Sequence, residues 1–197
     1  MKWIGLTGNM GSGKSAVGEI LKNFGYPVVS ADLLAREAVK RQGPAWQKLV
    51  DCFGEGILSP DGEIDRRALG DTVFSNPKKL KDLEAIVHPR VRELSRDRRQ
   101  SLESQGHRLA FYDVPLLFEK GLEGEFDFIV LVVSPEAQQI ERLRLRDGLT
   151  EAQIRSRWSA QWPAEKKTDK VGFVIKNDGD FNYLEAQVRE LVRQLGG

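Results

Sequence analysis

Residues 8–15, Gly-Asn-Met-Gly-Ser-Gly-Lys-Ser, place three glycines, a lysine and two serines in the spacing G-x-x-x-x-G-K-[S/T]. Those residue types suit one chemistry. Glycine backbones can turn their N–H groups inward around phosphate oxygens where a Cβ would intrude. A helix beginning near Gly13 adds the partial positive charge of its N-terminus. Lys14 can bridge β- and γ-phosphates, and the Ser15 hydroxyl can ligate Mg²⁺. The bland alternative is a glycine-rich turn between a strand and a helix. The apolar run before the motif and the amphipathic pattern after it favour a nucleotide-binding P-loop.

Two carboxylates extend that chemistry. Asp113 closes the run "RLAFYD", where a Walker-B acid reaches Mg²⁺ through water; the alternative is a turn cap before Pro115. Asp32 ends "PVVSAD", and open α/β sheets bind ligands at the carboxyl ends of their strands. A carboxylate there can accept the proton of an attacking hydroxyl. It can also cap a helix starting at Leu33, and the two roles are compatible. Arg142 and Arg146 stand four apart on a predicted helix and face one way, with Arg144 pointing elsewhere. Arg155, Arg157, Lys166 and Lys167 follow. Singly, each reads as a solvated charge. As a set they suit a cover that excludes water and neutralises charge on a transferred phosphoryl group. Trp158 and Trp162 read as packing for that cover, and His88 before Pro89 is ambiguous by pattern.

These groups need a scaffold, and the pattern supplies one. Apolar runs "WIGL" (3–6), "PVVSA" (27–31), "LAFYDV" (109–114), "FDFIVLVV" (126–133) and "FVI" (173–175) alternate with helical stretches. Such runs predict a parallel sheet covered on both faces. Val17, Ile20, Leu21 and Phe24 give the first helix a buried face. Leu184, Val188, Leu191, Val192 and Leu195 do so for the last, capped by Asp178 or Asp180. Residues 33–105 and 136–170 are helical without strands. In the first of these, Asn76-Pro77 starts a helix that Pro89 kinks or restarts. The expected fold is α/β: a three-layer P-loop NTPase architecture with a five-stranded parallel sheet, a helical substrate-side insert and a helical lid. The expected layout is one domain, with core 1–32, 106–135 and 171–197, insert 33–105 and lid 136–170.

Composition bounds the partners. The 197 residues carry a net charge of +1, so the global balance calls for neither nucleic acid nor an anionic membrane. One cysteine, Cys52, excludes an internal disulfide, and two histidines are too few for a histidine-rich metal centre. No apolar run reaches the roughly 20 residues of a spanning helix, and no signal peptide is recognised. A cytoplasmic enzyme, monomeric or weakly self-associating, is the expectation.

The ordered set "IGLTGNMGSGKSAV", "SADLLAR", "GEGILSPDGEIDRRALGDTVF", "LEAIVHPRV", "DVPLLFE", "RLRLRDGLTEAQIRSR" and "QWPAEKK…FVIKNDG" resembles the dephospho-CoA kinases essentially end to end. The P-loop is shared with many families, whereas "HPRV" and "DVPLLFE" in this order are more specific. The resemblance implies transfer of a phosphoryl group from ATP, with Mg²⁺, to the 3′-hydroxyl of the dephospho-CoA ribose, the last step of CoA synthesis. It implies Asp32 as base, with Lys14, Arg142 and Arg146 as the other catalytic groups. Gly8, Gly11, Ser12, Gly13, Lys14, Ser15, Ala16, Arg142 and Asn177 become the ATP side, with Asn177 near the adenine. Arg36, His88, Arg90, Leu117 and Glu119 join Asp32 on the acceptor side, and Ser15 and Asp113 hold the metal. This chain departs from the family pattern at Ser30, usually acidic, at Ala16, often threonine, and at Val171-Gly172, commonly alanine-aspartate.

Two other readings stay open on the residues alone. One is a P-loop kinase for another small hydroxylated acceptor, such as a nucleoside, nucleotide or sugar acid. The other is a nucleotide-dependent switch, which needs N-K-x-D; the chain offers "IKND" (175–178) in the wrong order, and "DCFG" (51–54) follows a helical pattern.

Overall fold

The structure is a computed structural model and describes residues 1–74 and 76–196. Ser75, read as part of the helical insert, and Gly197, read as the end of the core, lie outside the described residues.

The apolar runs form the five strands β1 (Lys2–Gly8), β2 (Val28–Ser30), β3 (Leu109–Asp113), β4 (Phe128–Val133) and β5 (Phe173–Lys176), in the order β2-β3-β1-β4-β5. The helices are α1 (Lys14–Asn23), α2 (Ala31–Ala38), α3 (Pro44–Phe53), α4 (Arg66–Val73), α5 (Pro77–Ser104), α6 (Glu136–Asp147), α7 (Glu151–Trp158), α8 (Ala164–Thr168) and α9 (Phe181–Leu195). The sheet is parallel, as the unbroken apolar character of its strands predicts. The strand leading into the glycine loop is central. Its register sets Leu6 beside Asp113 on β3 and Gly8 beside Val132 on β4.

Alternation along β1 divides the core. Ile4 and Leu6 join Phe111, Val130 and Val132 beneath α1 and α9, which contribute Val17, Ile20, Leu21, Leu184, Val188 and Leu191. Phe24 is only partly buried against this cluster. On the other face Trp3 stacks on Tyr112, with centroids 5.4 Å apart. There Leu117 and Phe126 close on Gly5 so tightly that a Cβ would come within 2.7 Å of Leu117 Cδ1. Asp180, rather than Asp178, caps α9 by accepting the Tyr183 N–H at 2.8 Å.

The chain forms two compact units, one of residues 1–29 with 101 onward and one of residues 30–100. The second unit has a core of its own. Leu49, Ile57, Leu69 and Val73 are buried, with Leu80, Leu83, Ile86 and Val87 packed against them. It is helical as expected, apart from an antiparallel bridge between Leu58 and Ile64. Asn76 starts α5 by accepting the Lys78 and Lys79 N–H groups at 3.0 and 3.2 Å. Of the kink or restart expected at Pro89, the restart does not occur: α5 runs unbroken through the proline within its 28 residues. Proline removes a single N–H donor, and the helix on both sides carries the turn. No helix among the described residues is long and apolar enough to cross a membrane.

Phe111 is completely buried on β3 between the flanking strands. Phe111→Ala is expected to lower the unfolding free energy by about 3–5 kcal/mol, measured by denaturant titration. A loss below ~1 kcal/mol would mean that this face of the sheet collapses around the cavity.

Candidate active site

The glycine loop joins β1 to α1 through two left-handed residues, Gly11 (φ +85°) and Gly13 (φ +89°). Gly13 is the N-cap of α1, and no side chain caps that end. Ala16 N–H donates back to Gly13 O at 2.9 Å, while the Lys14 and Ser15 N–H groups have no capping side chain, which leaves them to an anion. Protein neighbours make the glycines necessary as well. A Cβ on Gly8 would lie 2.6 Å from both Ser12 Oγ and Val132 O, and one on Gly11 would lie 2.9 Å from Gln139 O. One on Gly13 would fall on Asn177 Nδ2. Ser12 is buried, and its Oγ has no hydrogen-bond partner among the described residues. An uncapped helix start beneath a buried, unpaired hydroxyl is a fitting cradle for phosphate oxygens.

Lys14 Nζ forms an ion pair with Asp113 Oδ1. Asp113 is the last residue of β3 and reaches the loop because the β1–β3 register ends there. Ser15, exposed in the first turn of α1, adds a hydroxyl. A hydroxyl and a carboxylate are oxygen donors of the kind a hard divalent cation accepts. The donor set fits Mg²⁺.

Behind the loop, Arg142 on α6 donates from Nη1 to Gly11 O (3.3 Å), Ser12 O (3.4 Å) and Ser134 Oγ (3.0 Å). Its Nη2 donates to Gln138 Oε1 at 3.0 Å and to Asn177 O at 3.2 Å. Asn177 Nδ2 donates in turn to Ser12 O at 2.9 Å. Arg142 and Asn177 thus both hold the loop's carbonyl groups. Arg146 does not join them. It is exposed one turn further on and pairs with Asp147 at 2.8 Å, which holds its guanidinium above and the Asp147 carboxyl below their ordinary pKa values.

A second set of contacts comes from residues 158–167, which sequence reasoning treated only as basic and aromatic cover. Trp158 Nε1 donates to Met10 O at 3.2 Å, and the Trp162 ring stacks near Phe118, 6.2 Å between centroids. Lys167 is completely buried and pairs with Glu119 Oε1 at 2.8 Å. Its charge was visible in the sequence, but its burial was not. Leu117, also expected on the acceptor side, is completely buried and packs on Gly5.

The remaining acceptor-side candidates lie in the second unit. Asp32 is exposed in the first turn of α2, directly after β2. The cap of that helix is Ser30, whose Oγ accepts the Leu33 N–H at 3.4 Å, so the capping role considered for Asp32 belongs to Ser30. Arg36, four residues on, shares the exposed face of α2 while Leu34 and Ala38 are buried. On α5, His88 is half-buried and Arg90 pairs with Glu93 at 2.7 Å.

The dephospho-CoA kinase family model matches residues 2–182. The dephospho-CoA kinase of Anaeromyxobacter dehalogenans is 45% identical over 197 residues, spanning all of this chain and 93% of its own length. A crystal structure from Thermus thermophilus superimposes with a TM-score of 0.87 at 39% identity, covering 100% of this chain and 98% of the other. The dephospho-CoA kinase from Campylobacter jejuni superimposes with a TM-score of 0.75 at 26% identity, covering 98% and 96%.

Gly13→Ala tests the loop geometry. The left-handed torsion alone costs a side chain of order 1–2 kcal/mol, and the collision with Asn177 adds to it. The variant is expected to bind a non-hydrolysable ATP analogue more than about tenfold more weakly in calorimetry. Binding as tight as that of the parent would overturn this account of the loop.

Proposed function

The chain belongs to the dephospho-CoA kinase family, and on that basis we propose that it transfers the γ-phosphoryl group of ATP to the 3′-hydroxyl of the dephospho-CoA ribose, giving CoA and ADP. The observation that carries the reading is the family match from residue 2 to residue 182, which takes in the acceptor-side motifs as well as the P-loop.

In the proposed reaction the N–H groups of the loop and the start of α1 hold the triphosphate, and Lys14 neutralises its β- and γ-oxygens. Ser15 and Asp113 would hold Mg²⁺. When bound, the ion supplies Lewis-acid neutralisation of charge on the phosphate oxygens. Asp32 accepts the proton of the 3′-hydroxyl as the ribose oxygen bonds to Pγ. The bond from Pγ to the β,γ-bridging oxygen breaks, and ADP leaves with that electron pair. Support for Asp32 comes from its place directly after a sheet strand, where α/β folds bring ligands, and from its freedom from capping.

Arg36, His88 and Arg90 are the proposed contacts for the acceptor's anionic groups, and Glu119 and Leu117 are kept as proposed acceptor-side residues. Arg142 acts through the loop it holds. The proposal leaves Arg146 to approach the transferring group from the lid, 136–170. The insert, 33–105, is the proposed CoA-side part and the remainder the nucleotide core.

Purified protein given ATP, Mg²⁺ and a panel of dephospho-CoA, adenosine, AMP, shikimate and gluconate is expected to release ADP rapidly only with dephospho-CoA. Phosphorus NMR of the product should then place the new phosphate at the 3′ position. Turnover of another panel member in its place would refute the acceptor. Asp32→Asn should lower kcat by about 10²–10⁴ while ATP-analogue affinity stays within about twofold. Near-normal turnover would remove Asp32 as the base.

A further inference from the structure

Positions 9 and 10 of the P-loop are ones where the motif sets no residue type, yet here both are tied to the arm Trp158–Lys167. Met10 N–H donates to Gln161 Oε1 at 3.0 Å, and Met10 O accepts Trp158 Nε1 at 3.2 Å. Asn9 Nδ2 donates to Trp162 O at 3.2 Å, and Asn9 Oδ1 accepts Lys167 Nζ at 2.8 Å. The same ammonium pairs with Glu119 Oε1 at 2.8 Å, an oxygen that also accepts the Trp162 N–H at 2.7 Å. The Lys167 side chain is 0% exposed and that of Glu119 9%. Glu119 Oε2 is buried with no partner among the described residues.

A buried ion pair is no more stabilising than an apolar pair of equal volume, but it fixes directions that an apolar pair leaves loose. Here the directions concern three pieces of chain: the loop after β1, the turn after β3 and the arm. The lysine ammonium, at 0% exposure, is held between two oxygen acceptors. Withdrawing the arm from the loop would leave the Glu119 carboxylate without its cation and the Asn9 carbonyl without its donor. The outer edge of the P-loop is therefore set by Lys167, while Arg142 and Asn177 set its inner edge.

We propose that Lys167 is a positioning residue for nucleotide binding: its buried ammonium clamps the P-loop through Asn9 and holds it in the form that takes a triphosphate. The inference rests on reading residues 8–15 as the ATP site, and Lys167 touches no reacting atom.

The test compares the parent with Lys167→Met, which keeps the stem and removes the charge, and Asn9→Ala, which removes the loop end of the clamp together with the Asn9 Nδ2 contact to Trp162 O. Calorimetric binding of a non-hydrolysable ATP analogue with Mg²⁺, without acceptor, should weaken about tenfold in Lys167→Met and at least about threefold in Asn9→Ala. Asn9→Ala should keep its unliganded Tm within about 2 °C of the parent, which separates positioning from a loss of structure. In steady state its KM for ATP should rise by the same factor, with KM for dephospho-CoA moving less than about twofold. Where Lys167→Met does not fold, Asn9→Ala decides alone. Analogue affinity within about 1.5-fold of the parent in Asn9→Ala would overturn the proposal. A parent that binds the analogue but leaves dephospho-CoA unphosphorylated would refute the function, and the binding comparison would still judge Lys167.

Discussion

A chain can aim several consecutive N–H groups at one point only by passing through torsions that side chains resist. At Gly11 and Gly13 this chain passes through such torsions while pressed against its own structure. The loop has Val132 of β4 beside Gly8, Gln139 of α6 beside Gly11 and Asn177 beyond β5 beside Gly13. Each contact leaves no room for a Cβ, so the loop is seated in a socket formed by elements that follow it by more than a hundred residues. The central place of β1 serves that seating: strands on both sides fix the height at which the loop leaves the sheet.

What was legible in the sequence was what is local. The loop could be read because its glycines, Lys14 and Ser15 lie within eight residues, and the strands because burial on both faces makes them uninterrupted apolar runs. The buried face of α9 follows from a 3.6-residue rhythm that needs no partner to be seen. The sequence was silent where the outcome depends on distant atoms. Arg142 and Arg146 share a spacing, yet one meets loop carbonyls 130 or more residues away in sequence and the other its neighbour Asp147. Lys167 looked like its neighbours in a basic run because the partner that buries it, Asn9, stands 158 residues away. Pro89 carried a local signal for a break, and the surrounding helix overrode it.

The start of α2 illustrates a division of labour within a few residues. A helix N-terminus wants an acceptor for its free N–H groups, and aspartate is among the best suppliers. Ser30 fills that place, so the carboxylate two residues later stays exposed. Ser30 leaves α2 capped by a neutral group, with Asp32 the acid of its first turn.

The guanidinium of Arg142 meets the loop on its carbonyl side, and this changes how its charge reaches a phosphate. Ser12 O accepts from both Arg142 and Asn177, and Gly11 O from Arg142. Each of those carbonyls belongs to a peptide group whose N–H is the next residue's, on Ser12 and Gly13. Donation to the oxygen draws electron density through the amide and leaves its N–H more acidic; condensed-phase estimates of such reinforcement are about 10–30% per bond. The Ser12 N–H is already donated to Asn9 O at 3.0 Å, so the inductive relay from the arginine toward a ligand runs through the Gly13 N–H. Because the relay runs through covalent bonds inside the protein, added salt would screen it far less than a charge that met the phosphate across water.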